Sequence, residues 1–144
     1  AQEMCDLWRR TVIGNMMGNA IGYCGHFANG ITAIFVACGQ DVANVMNSAV
    51  GITDYELTPE GDLHASVTLP SLTVGTVGGG VSLGTSRECL EVLGCYGNGK
   101  AKKLAEIIAG TVLAGELSFG ASLTSGEFVD AHEEYGRNRP EPDV

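Results

Sequence analysis

The feature that most constrains this chain is a long stretch, residues 12–39, without a single Asp, Glu, Lys or Arg. Its length would allow a helix that crosses a membrane. Its three asparagines and one histidine favour a protein core instead, because lipid penalises buried polar groups heavily. We therefore predict one long helix at about residues 11–39, buried inside a domain, and no membrane segment in this chain.

The glycine spacing within this stretch supports a buried helix. Gly14, Gly18 and Gly22 lie four residues apart, so they would share one helix face. Each glycine inside a helix costs about 0.5–1 kcal/mol relative to alanine. A helix tolerates that cost where neighbouring elements must approach its backbone closely. The pattern predicts a central helix that is wrapped on several sides.

The rest of the sequence alternates between extended and helical patterns. Apolar and polar side chains alternate along residues 63–69, as in a strand with one buried face. The predicted elements are strands at 52–58 and 63–69, a turn at 59–62, a loop at 70–85, and helices at 86–94, from 101 onward and at about 126–135. The predicted fold class is α+β, with a long buried central helix wrapped by helices and a small antiparallel sheet.

The chain shows no repeat and no internal domain boundary. We predict one domain over residues 1–137 and a flexible tail at 138–144, where two prolines follow a polar helix. No signal peptide is visible, and a start at Ala1 without methionine favours a fragment of a longer protein.

Composition excludes several classes of function. The net charge of −9 and the scattered basic residues argue against nucleic-acid binding. The five cysteines are odd in number and form no CxxC pair, so we predict free thiols and no metal site. These properties favour a globular domain in a reducing, cytoplasmic environment.

Asp41 is the candidate acid that the sequence itself suggests. It follows the predicted long helix, where the negative end of the helix dipole and partial burial would both raise its pKa. A second interpretation is equally compatible with the pattern: Asp41 would be the N-cap of a short helix that starts at Val42.

Four other features carry less information by residue pattern alone. Arg10 and Asn29 could each face either a pocket or solvent. The glycine-rich run at 75–80 matches neither a Walker loop nor a dinucleotide fingerprint, which favours a structural turn. His132 lies among Asp130 and two glutamates, which favours the imidazolium form and a surface position.

Taken together, these segments resemble the C-terminal part of the catalytic domain of 3-hydroxy-3-methylglutaryl-CoA (HMG-CoA) reductase, class I. The resemblance covers about residues 10–137. Four runs within that span carry it: Gly22-Tyr23 through Gly39-Gln40-Asp41, Pro70 through Gly80, Leu104 through Ser118, and Ala131-His132 through Gly136-Arg137. The combination and order of these runs are highly specific.

The resemblance implies a function and a set of site residues. The family reduces HMG-CoA to mevalonate with two NADPH, in isoprenoid biosynthesis. By resemblance, Asp41 and His132 are catalytic, and His132 protonates the departing CoA thiolate. Arg10 and Asn29 bind substrate, with Asn29 facing a catalytic lysine. Arg137 and the glycines Gly78, Gly79 and Gly80 contact the cofactor.

The resemblance also implies partners. The family's glutamate, catalytic lysine and DxMGxN cofactor loop lie upstream of Ala1, so this chain is predicted to need the upstream half of the domain and to be inactive alone. It is further predicted to form a homo-oligomer, because family active sites lie between subunits, and to be cytoplasmic or cytosol-facing.

Several residues depart from the family pattern and leave an alternative open. They are Arg10 for lysine, Cys24 for asparagine, Val81 for threonine and Glu127 for histidine. The alternative is a diverged, non-catalytic subunit or assembly protein with the reductase fold.

Overall fold

The structure, a computed structural model, describes residues 1–136. Its helices are α1 (Gln2–Met17), α2 (Phe27–Ala37), α3 (Val45–Ser48), α4 (Gly84–Val92), α5 (Ala101–Ser125) and α6 (Glu127–Tyr135). Two short 3-10 turns lie at Val42–Asn44 and Gly79–Ser82, and the strands are β1 (Ile52–Leu57) and β2 (Leu63–Thr68). The predicted α+β class is confirmed.

The core forms where α2 packs against α5. Phe27, Ile31 and Phe35 recur every four residues along α2, and all are at most 1% exposed. The facing stripe of α5 is built from Leu104, Ile108 and Val112, which are fully buried. Burying each such side chain contributes roughly 1.5–3 kcal/mol. This pair of stripes fixes how the two helices lie against each other.

The sheet is one antiparallel hairpin, as the alternating pattern predicts. Its register runs from Ile52 opposite Thr68 to Leu57 opposite Leu63. The indole nitrogen of Trp8, on α1, donates to the Thr53 carbonyl at 2.8 Å. This bond ties the first helix to the first strand.

The prediction of one continuous helix at 11–39 is wrong. α1 ends at Met17 and α2 begins at Phe27, and Asn19 between them has a left-handed backbone with φ of 58°. A methyl group added at Gly14 would meet no atom within 4 Å. The close packing that would offset the cost of a helical glycine is therefore absent at this position, and the helix breaks soon after it. The long helix of the fold is α5 instead.

The helix that must be considered as a possible membrane span is α5, and not residues 12–39. Within residues 1–136, only α5 is long and apolar enough to cross a membrane by length and composition. Core helices of soluble proteins pass the same test. The buried stripe that α5 presents to α2 accounts for part of its apolar character.

One smaller difference concerns the start of α4. The helix predicted at 86–94 starts two residues earlier, at Gly84, and Leu83 at its N-cap makes no side-chain bond. The tail predicted at 138–144 lies outside the described residues.

Candidate functional site

An open groove of about 540 Å³ lies between the end of α2 and the glycine-rich segment. Both Asp41 and the glycines Gly78, Gly79 and Gly80 line it. These residues are far apart in sequence, and the structure places them around one groove. The groove is therefore the candidate site.

A left-handed glycine turns the chain from α2 into the groove. Gly39 has φ of +63°, a conformation that side chains with a Cβ rarely adopt. A Cβ at Gly39 would also lie 2.6 Å from the carbonyl oxygen of Gly80. The two backbones therefore touch, and only glycine at position 39 permits that approach.

The side chain of Gln40 joins the two walls of the groove. Its amide nitrogen donates to the carbonyls of Cys38 at 3.0 Å and Gly75 at 2.9 Å. Its Oε1 accepts the N–H of Gly75 at 2.8 Å. Gln40 is buried, so these three bonds form away from competing water. They hold the glycine-rich segment against the end of α2.

Asp41 is exposed at the mouth of this groove. Its Oδ1 accepts the N–H of Ala43 at 3.0 Å, and its Oδ2 accepts the side-chain amide of Asn44 at 3.5 Å. Asp41 is thus the N-cap of the 3-10 turn, as the second interpretation predicts. The partial burial that the first interpretation assumed is not present in this chain.

The glycine-rich segment is open on the side that faces the groove. Gly78 and Gly79 have φ of +79° and +54°, and a Cβ at either would meet no atom within 4 Å. Such a backbone lets a bound group approach closely and exposes its amide dipoles. Val81, by contrast, is buried in the core.

Arg10 and Asn29 do not line this groove. Arg10 lies exposed on α1, where its Nε donates to the carbonyl of Asp6 at 3.2 Å. Asn29 is exposed on the first turn of α2. The structure therefore places the two predicted substrate-binding residues on separate elements, apart from the lining of the Asp41 groove.

His132 also lies outside the groove lining. It is exposed on α6, its Nδ1 is 2.7 Å from the carbonyl oxygen of Phe128, and its ring centroid is 4.2 Å from that of Phe128. Arg137, the remaining predicted cofactor contact, lies outside the described residues. Among residues 1–136, no cluster of three or more metal-binding side chains is present.

Glu116 is a buried acid that the sequence pattern did not single out. It lies on the apolar stripe of α5 and is 6% exposed. Burial, with smaller effects from the Glu116 and Cys24 charges, raises the pKa of nearby Tyr55 to about 12. Burial also raises the pKa of the Cys24 thiol. The sequence did contain a signal for its burial: Glu116 lies four residues from both Val112 and Gly120, on the helix face that α5 buries.

Comparison with known proteins identifies relatives along almost the whole chain. A family model described as hydroxymethylglutaryl-coenzyme A reductase matches residues 1–137. The 3-hydroxy-3-methylglutaryl-coenzyme A reductase of Methanocaldococcus jannaschii is 49% identical over 128 residues, which cover 89% of this chain and 31% of that protein.

Relatives from two other organisms give the same result. The protein of that name from Pyrococcus horikoshii is 47% identical, with 89% of this chain and 32% of that protein covered. 3-Hydroxy-3-methylglutaryl-coenzyme A reductase 1 of Oryza sativa subsp. indica is 45% identical, with coverage of 88% and 26%. The chain thus spans about a third or less of the length of these curated relatives.

Proposed function

The chain belongs to the hydroxymethylglutaryl-coenzyme A reductase family, and we propose that it forms the C-terminal part of an enzyme that reduces HMG-CoA to mevalonate. The proposal rests on the groove that Asp41 lines together with Gly78, Gly79 and Gly80 of the glycine-rich segment. We further propose that the complete enzyme is cytoplasmic or cytosol-facing.

The proposed reaction needs protons at two different atoms. When bound, NADPH would supply the hydride for each of the two reductions. Asp41 is exposed to the groove, so it could hold or deliver a proton at the substrate oxygen, and Gly78 and Gly79 would cradle the cofactor. His132 would donate a proton to the departing CoA sulfur.

The described chain supplies only part of this machinery. His132 and Arg10 do not line the Asp41 groove, and no other basic side chain among residues 1–136 does. Stabilising an oxyanion there requires a positive group. We propose that the upstream half of the domain and a second copy of the chain complete the site, with α6 contributing its histidine in that assembly.

A specific observation favours the second candidate, a non-catalytic subunit. Both carboxylate oxygens of Asp41 already accept bonds from residues of its own turn. A capping role alone would keep this aspartate without any catalysis. The same geometry also suits an acid held in one orientation, so activity must decide between them.

The test compares the isolated chain with the same chain joined to the upstream half of a related reductase. We expect HMG-CoA-dependent oxidation of NADPH only from the joined protein. Removing one oxyanion-stabilising group alone typically slows an enzyme about 10²–10³-fold, and the cofactor loop would also come from the upstream half. Activity of the isolated chain would show that the upstream half is not required, and a correctly folded but inactive joined protein would contradict the reductase function.

A further inference from the structure

The carboxylate of Glu116 is buried at the point where α5, β1 and the start of α2 meet. Its Oε1 accepts the backbone N–H of His26 at 2.5 Å, and its Oε2 accepts that of Gly25 at 3.4 Å. The hydroxyl of Thr53 on β1 lies 3.4 Å from the same Oε2. A buried acid is costly unless its oxygens are bonded, and here both are.

These bonds stand in for the N-terminal cap that the residues of α2 do not form themselves. His26 is the N-cap of α2, but its side chain makes no capping bond. In a capping box, a glutamate three residues into the helix would accept the N-cap N–H. Here Glu116 accepts it from 90 residues away in sequence. The negative charge also lies at the positive end of the α2 dipole.

Close packing fixes the same junction sterically. The imidazole of His26 lies so near α5 that a Cβ at Gly115 would overlap its Cδ2. On the α2 side, a Cβ at Gly30 would be 2.7 Å from its Nε2. The ring therefore lies between two glycines, one on each helix. Gly115, the residue before Glu116, leaves room for the ring of His26, and Glu116 accepts the N–H of that same histidine.

We infer that Glu116 is a positioning residue for the reductase reaction, which rests on the function proposed above. By holding the N-cap of α2, it sets the direction in which the first turn projects Asn29. α2 ends at Ala37, four residues before Asp41, so a tilt at its start would also change how Asn29 stands relative to Asp41. Misplacement of such groups by about 1 Å can cost about 10²-fold in rate.

The test uses Glu116→Gln and Glu116→Asp in the complete reductase that contains this chain. Glu106→Gln is the matched control, because Glu106 is exposed on the same helix. Glutamine keeps one acceptor oxygen but places an NH₂ donor against other donors, the N–H groups of Gly25 and His26 and the hydroxyl of Thr53. Aspartate keeps the negative charge on a shorter side chain. Circular dichroism and active-site titration report the folded, active fraction of each variant.

Two measurements decide the role. Hydrogen exchange in a peptide spanning residues 24–30 should be at least about tenfold faster in Glu116→Gln, with the α4 peptide unchanged and with Glu106→Gln like the wild type. Per active site, kcat with HMG-CoA should fall about tenfold or more, while KM for NADPH stays within about twofold. Glu116→Asp should recover part of kcat.

The outcomes are distinguishable. Unchanged exchange at 24–30 shows that Glu116 does not hold α2 and overturns the inference. Faster exchange with normal kcat per active site shows a purely structural role and also overturns it. A wild-type reductase without HMG-CoA-dependent activity overturns the proposed function, and the positioning role of Glu116 falls with it.

Discussion

The carboxylate of Asp41 accepts a hydrogen bond from its own turn and is also exposed to the groove. As N-cap of a 3-10 turn it is held by Ala43, yet it stays exposed in the groove beside the glycine-rich segment. A cap of this kind contributes about 1 kcal/mol and restricts the side chain to one orientation. Capping and exposure to the groove are therefore combined in one residue, although the partial burial expected of Asp41 is not present.

The substitution Asp41→Asn separates the two roles. The asparagine side chain would still accept the Ala43 N–H, so the free energy of unfolding should change by less than about 1 kcal/mol. It cannot donate a carboxyl proton, so turnover of the joined enzyme should fall at least about 100-fold. Chemical denaturation and steady-state NADPH oxidation measure the two effects. Near-normal turnover would show that Asp41 is only a cap.

His132→Gln tests which atom receives the second proton. We expect the joined enzyme to lose HMG-CoA reduction by about 10²-fold or more and to keep reduction of free mevaldehyde. Mevaldehyde carries no sulfur, so its reduction needs no acid for a leaving thiolate. Rates of NADPH oxidation with the two substrates give the comparison. Equal losses with both substrates would contradict the role as thiolate acid.

At the scale of elements, α5 contains glycines with opposite surroundings. Gly110 is exposed, and a Cβ there would meet no atom within 4 Å. Gly115 faces the ring of His26, and a Cβ there would overlap that ring. One glycine is therefore replaceable, whereas the other is required by the contact of α5 with the start of α2.

Alanine substitutions at these two positions should change stability in opposite directions. Gly110→Ala should raise the free energy of unfolding by about 0.5–1 kcal/mol, because alanine loses less conformational entropy in a helix. Gly115→Ala should lower it by about 1–3 kcal/mol, because the imidazole must leave its place between the helices. Midpoints of urea unfolding provide the measurement, with each variant controlling for the other. A stabilising Gly115→Ala would show that the contact is absent.

At the scale of the whole molecule, apolar side chains remain uncovered around the break between α1 and α2. Met17 and Ile21 are 82% and 84% exposed, and Ile21 also lines a groove with Phe27 and Met46. A clustered surface of this kind is unusual for a monomer.

We expect the chain to associate with itself in solution through this surface. Static light scattering should give a mass above the 15.0 kDa of one chain, and the Met17→Ser, Ile21→Ser double variant should shift the distribution toward monomer. Val92→Ser is a matched control, because Val92 is exposed on α4. A strictly monomeric wild-type chain at high concentration would contradict this expectation.

The elements that could be predicted from the sequence are those whose pattern lies within a few consecutive residues. Alternation at 63–69 predicted the second strand of the hairpin, and helical spacing after residue 101 predicted α5. The order of the motifs also identified the family. Local periodicity suffices in these cases because each element buries a face that its own residues define. The role of Asp41 as a cap belongs here too, since its partners lie two and three residues away.

How those elements meet could be read only from the folded chain. Gln40 and Gly75 are 35 residues apart, and His26 and Glu116 are 90 apart, so no local pattern relates them. The helix predicted at 11–39 failed for the same reason. Packing of another element on the glycines of such a run can offset their cost in a helix, and whether such packing occurs is a property of the folded molecule. Burial, bonding and close approach depend on neighbours in space, whereas periodicity depends on neighbours in sequence.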